Sequence, residues 1–142
     1  MNEPRIEAQR WLQQAQEDLV VVRTLRAAGH HATACFHSQQ AAEKAVQAVL
    51  FVHGARVVLG HSVRDLARQC EAHEATFAGG AEEAALLDQF YILTRYPNGL
   101  PSPAVPGEAF TSSQAQNAQE SAEHIVSVVE TYFRTHPAIS GW

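Results

Sequence analysis

Apolar residues recur at helical spacing in about five stretches of the chain. Leu12, Ala15, Leu19 and Val22, flanked by Trp11 and Leu25, mark one face of a first helix predicted from Arg5 to Ala28, with Gly29 as its stop. A second helix is predicted from His31 to His53, ending at Gly54, and its Ala34, Ala41, Ala45 and Ala48 make a thin side that a neighbouring helix can approach closely. Ser62, with Asp65 three residues later, resembles a capping box and predicts a short third helix with Val63, Leu66, Ala67 and Cys70 turned inward. Gly79 and Gly80 then break the pattern before a fourth helix from Ala81 to Thr94, whose Leu86, Leu87, Phe90, Tyr91 and Leu93 form a wide apolar face. Thr111 with Gln114 makes another capping box ahead of Ala115, Ala118, Ala122, Ile125, Val129 and Tyr132, which predict a last long helix ending near His136 and Pro137.

Between Pro97 and Phe110, four prolines and two glycines remove backbone donors and predict a surface loop rather than continuous helix. The only strand candidate, Ala55 to Leu59, is short and lies between a glycine stop and a capping box. The expected architecture is therefore all-α, an up-and-down bundle of about five helices with a proline-rich loop before the last. Residues 1–136 are expected to form one domain and residues 137–142 a short tail. Ala115, Ala118 and Ala122 could serve either the intramolecular core or a dimer seam.

The second helix carries one feature that the bundle does not require. Lys44 is the only lysine beside nine arginines, and His37, Gln40, Lys44 and Gln47 fall on one narrow stripe, opposite Cys35, Ala42, Val46 and Val49. A lysine there can reach a phosphate, with Gln40 one turn earlier, or it can pair with an acid such as Asp18 or with a residue across a dimer. Glu43, one turn after Gln39, reads as a structural partner rather than a general base.

Composition narrows the chemistry. A hydrophobic content of 46% against 18% charged residues is enough to build a core, and a net charge of −5 argues against nonspecific attraction to nucleic acid. No apolar run approaches the roughly 20 residues of a membrane span, so no membrane role and a cytoplasmic location are expected. Cys35 and Cys70 lack a Cys-x-x-Cys pairing and read as reduced core thiols. The eight histidines offer no convincing metal-ligand arrangement, and no nucleophile elbow or phosphate-cradling glycine loop is present, so no metal, cofactor or catalytic residue is assigned. His61, beside the Ser62 cap, reads as a capping or packing residue, with contact to an anion as the alternative.

Four segments in order, WLQQAQEDLVVVRTL from Trp11, ACFHSQQAAEKAVQAVL from Ala34, GHSVRDL from Gly60 and LTRYPNG from Leu93, resemble the HEPN family (higher eukaryotic and prokaryotic nucleotide binding), in the branch of small stand-alone prokaryotic proteins and the sacsin C-terminal domain. The resemblance implies a helical bundle that commonly forms a homodimer, interaction with nucleotide or RNA, and in many prokaryotic members a nucleotidyltransferase partner. Some members are metal-independent RNases with an arginine and a histidine four to six residues apart near the start of a late helix. Arg95 lies in that neighbourhood, but no histidine follows it at that distance, and Arg56 with His61 and Arg68 with His73 match the spacing only around the third helix. RNase activity is not transferred to either pair.

Arg95 and Tyr96 are the leading ligand-binding candidates. A planar guanidinium matches phosphate oxygens and an adjacent aromatic ring can stack on a base. Pairing with Asp88 or capping the helix C-terminus is the structural alternative for Arg95. The expected function is thus a homodimeric HEPN interaction module that binds a nucleotide such as ATP or GTP, or a nucleotide-bearing or nucleotidyltransferase partner, through Arg95 and Tyr96, with Lys44 and Gln40 as contributors. The alternatives are the HEPN half of a toxin and antitoxin pair, acting as an RNase or modified by its nucleotidyltransferase partner, and a ligand-free assembly scaffold.

Overall fold

Pro4 stands in the first turn of α1, Pro4–Ala27, where its missing N–H is no loss because that turn has no carbonyl to meet. The computed structural model describes residues 3–74, 77 and 80–136. Helix α1 turns at Ala28 to His30 into α2, His31–Val52, and the two pack as an antiparallel hairpin. Both helices close in the same way: Gly29 at φ +83° and Gly54 at φ +98° adopt the left-handed conformation that lets the next amide reach back. His30 N–H donates to the Leu25 carbonyl at 2.9 Å and Ala55 N–H to that of Leu50 at 3.1 Å, which satisfies carbonyls the helix leaves free.

Helix α2 is the centre of the bundle because its alanines allow close packing on several sides. Ala34, Ala41, Ala45 and Ala48 are completely buried, and the helix packs along α1 and against α7, Ser112–Thr135. Ala115, Ala118 and Ala122 of α7 are completely buried within the single chain, so that face belongs to the intramolecular core. Polar bonds from Gln16 to Glu130 at 2.8 Å and from Arg26 to Gln119 at 2.7 Å tie α1 to α7 at the rim. The capping box of α7 is complete, with Gln114 N–H donating to Thr111 Oγ1 at 3.2 Å and Thr111 N–H to Gln114 Oε1 at 2.8 Å.

The short helix α3, Val63–Glu71, is capped differently from the expectation. Ser62 Oγ accepts from Asp65 N–H at 3.1 Å, but the carboxylate that completes the cap comes from Asp88, at the end of α4, Ala81–Asp88. Asp88 accepts from Ser62 Oγ at 2.7 Å and from Val63 N–H at 2.6 Å. The predicted fourth helix also tightens at Gln89, whose N–H reaches the Leu86 carbonyl three residues back, and continues as α5, Phe90–Leu93. The proline-rich loop holds a tight turn at Pro97–Gly99 and a single helical turn, α6, Pro106–Ala109, and Phe110 fastens it edge-on to Phe90. No strand occurs among the described residues. Gly79 and the tail from Pro137 to Trp142 lie outside them.

The two cysteines are buried thiols, and burial pushes each up to about 12, so neither supplies a thiolate near neutral pH. At the C-terminal end of α2, His53 stacks face to face on His73 at 3.9 Å and shares a hydrogen bond with the Tyr132 hydroxyl, while His136 pairs with Glu74 at 2.9 Å. Burial first, and then the neighbouring His73 and His136, hold His53 below its ordinary value of 6.5. The unfolded chain therefore takes up this proton before the folded chain does. The His53 contribution to stability is full above about pH 6.5 and is lost as the pH falls towards and through the lower folded value. Urea midpoints measured at about pH 7.5 and pH 5.5 are expected to be lower at the acid end, and His53→Gln is expected to reduce that difference.

Candidate functional site

The turn from α5 into the loop presents a cation on an aromatic platform. Tyr91 and Arg95 are one helical turn apart, so their side chains meet on the same face, and Phe36 of α2 completes the surface. The Arg95 guanidinium lies 4.5 Å from the Phe36 ring centre, 4.7 Å from that of Tyr91 and 5.2 Å from that of Tyr96. Its Nε donates to the Tyr91 carbonyl at 2.9 Å, which caps the helix end and fixes the plane of the group. No carboxylate among the described residues lies within salt-bridge distance of it, since Asp88 is engaged at the N-terminus of α3. Both Arg95 and Tyr96 are exposed, with half of Tyr96 open to solvent.

The loop before α3 brings His61 to the same platform. Its ring stacks on Tyr91 with centres 4.6 Å apart, and its Nδ1 lies 2.9 Å from Oε1 of Glu43, a buried residue of α2. Gln39, completely buried one turn before Glu43, donates to the His61 carbonyl at 2.9 Å. Gln40 donates to Gln39 Oε1 at 2.8 Å, so it meets the site through Gln39. Burial pushes the Glu43 carboxyl above its ordinary range, against the opposing pull of His61, Gln39 and Lys44.

Lys44 is turned elsewhere. Its Nζ lies 2.6 Å from Oδ2 of Asp18, whose other oxygen accepts from Gln14 at 3.1 Å. Of the four residues singled out in the sequence, the fold thus brings Arg95 and Tyr96 together, joins Gln40 to the platform through Gln39, and pairs Lys44 with α1. The stacking of His61, bonded to Glu43, on the Tyr91 ring that Arg95 also covers has no sequence signal, because the spacing that drew attention to His61 paired it with Arg56. Among the described residues no group of three or more histidine, cysteine or acidic side chains is placed to hold a metal ion. No helix among them is long and apolar enough to cross a membrane.

The family model of the HEPN domain matches residues 8–132. The chain belongs to the HEPN family. This HEPN chain is 34% identical to the crystal structure of TT1696 from Thermus thermophilus, with a TM-score of 0.82 over 88% of this chain and 97% of that one. It is 27% identical over 136 residues to a Methanocaldococcus jannaschii protein named "Putative toxin MJ1304", a match covering 89% of this chain and 88% of the relative. It is also 26% identical over 137 residues to sacsin of Homo sapiens, of which it spans 3%. The HEPN match takes in both the α2 residues that support His61 and the turn that carries Arg95 and Tyr96.

Proposed function

We propose that this HEPN protein is a nucleotide-binding module that works as a homodimer, with Arg95 as the phosphate contact and Tyr96 as the base-stacking surface. The observation that carries this reading is the Arg95 guanidinium, which lies over Phe36, Tyr91 and Tyr96 with one nitrogen anchored to a backbone carbonyl and no salt-bridge partner among the described residues. An arginine fixed in this way keeps its terminal donors for an anion and loses little freedom on binding one. Gln40 contributes by holding Gln39, whereas Lys44, bridged to Asp18 of α1, lies outside this binding surface. In calorimetric titrations with ATP, GTP and a short RNA at low salt, Arg95→Ala is expected to weaken binding by about tenfold or more. The absence of saturable binding by the wild type at millimolar ligand, or unchanged binding by the variant, overturns the reading. Sedimentation at micromolar concentration tests the dimer, and a stable monomer removes any site built from two copies.

A second reading makes this chain the RNase half of a toxin pair with a nucleotidyltransferase partner. The toxin-named relative and the contact of both His61 and Arg95 with Tyr91 favour it, because an imidazole and a guanidinium are the groups a metal-independent cleavage of RNA uses. Cleavage of structured RNA in the presence of a chelator, lost in Arg95→Ala, supports this reading. Intact RNA after prolonged incubation removes it.

A further inference from the structure

His61 is an exposed residue held as firmly as a buried one. Its side chain is 58% open to solvent, yet its carbonyl is bound by Gln39, its Nδ1 by Glu43 and its ring by Tyr91. Fixing an exposed side chain costs rotamer freedom and gains little stability, whereas a fixed group that meets a ligand has paid that entropy in advance. Nδ1 is taken by the carboxylate and no described residue bonds Nε2, so Nε2 is the nitrogen left for a ligand. Arg95 also lies over the Tyr91 ring, so the two groups share that one aromatic side chain.

We infer that His61 is a second phosphate-binding group beside Arg95, positioned by Glu43, and that it makes the binding of a nucleotide phosphodiester stronger as the pH falls. The inference rests on the nucleotide-binding reading above and adds a pH-dependent contact to it. With its proton on Nδ1 facing Glu43, the neutral ring presents a lone pair at Nε2, which repels a phosphate oxygen. The protonated ring keeps the Glu43 bond and presents Nε2–H instead, a charge-assisted donor. The titratable groups in contact with this ring are Glu43 of α2 and Tyr91 of α5; the further charges on the elements packed around it are Lys44, which acts on Glu43, Arg95, which lies over Tyr91, Asp88 of α4, which bonds the adjacent Ser62, and Arg64 and Asp65 in the first turn of α3.

The dinucleoside monophosphate adenylyl-adenosine is a suitable probe, because a phosphodiester does not titrate in the range where imidazoles do. Calorimetric titrations between about pH 8 and pH 5.5 are expected to show wild-type affinity rising about fivefold towards acid. His61→Gln is expected to hold the wild-type alkaline affinity across the whole range, and Glu43→Gln, which removes the carboxylate that holds the ring, to shrink the rise. A flat wild-type profile, or a rise that survives in His61→Gln, overturns the inference while leaving Arg95-dependent binding in place. A rise abolished by Glu43→Gln but kept by His61→Gln assigns the titration to the carboxyl and also overturns it. Failure of the wild type to bind the probe, ATP or RNA at any pH overturns the nucleotide-binding reading itself. Circular dichroism of each variant at both ends of the range separates lost contact from lost fold.

Discussion

Lys44→Met is expected to lower the folding free energy by about 3 kcal/mol, the cost of leaving a buried charge without its partner. Asp18 is the group left behind: its side chain is 7% exposed against 22% for Lys44, and after the substitution only the Gln14 amide still meets it. The loss is larger than that of a surface ion pair, which contributes about 1 kcal/mol or less, because the nearly buried carboxylate has little access to water that could replace the ammonium. Removing both charges, in Asp18→Leu with Lys44→Met, is expected to be less damaging than Lys44→Met alone. Urea unfolding followed by circular dichroism measures the three variants, and a cost for Lys44→Met as small as that of a surface pair would show that solvent compensates the carboxylate. The single variant is expected to leave nucleotide affinity unchanged wherever it remains folded, since no contact connects Lys44 to the Arg95 platform directly.

Asp88→Ala is expected to cost about 2 kcal/mol, more than the loss of an ordinary side-chain cap. One carboxylate serves Ser62 Oγ, Val63 N–H and, more distantly at 3.4 Å, Arg64 N–H, so its removal frees the first turn of α3 and detaches α4 from it. Negative charge at that end also opposes the positive end of the α3 dipole. Because His61 immediately precedes Ser62, the same substitution is expected to loosen the stacking of His61 on Tyr91. Thermal unfolding gives the stability change, and increased hydrogen exchange at the amides of Val63 and Arg64, with α7 unaffected, locates it. Asp88→Asn is expected to fall between the two, since it keeps an acceptor but loses the charge.

The helices were legible because the signals that start and stop them are local. Thr111 with Gln114, and the glycines at 29 and 54, act within a few residues of the ends they define, and the predicted bounds of α1 and α2 differ from the observed ones by a single residue. The cap of α3 was only half legible. Ser62 acts within its own turn, whereas Asp88 arrives from α4 and displaces Asp65 from the role its spacing suggested. The one-turn helix α6 was hidden by the prolines around it, although Pro106 at its first position is where a proline is best tolerated.

The sequence by itself determined that this chain is an all-helical HEPN protein with an apolar central helix, an arginine and tyrosine at the end of the fourth helical stretch, and a lysine in need of a partner. Each of these rests on periodicity, capping or ordered motifs that a single strand of text preserves. Where the charges go follows from the packing of the helices. That packing gave Lys44 to Asp18 and Asp88 to α3, which left Arg95 without a carboxylate partner among the described residues, and it brought His61, bonded to buried Glu43, to the ring that Arg95 covers. The physical reason is that a charged side chain chooses its partner by distance and burial after the helices have packed, and neither quantity is written in the spacing of residues along the chain.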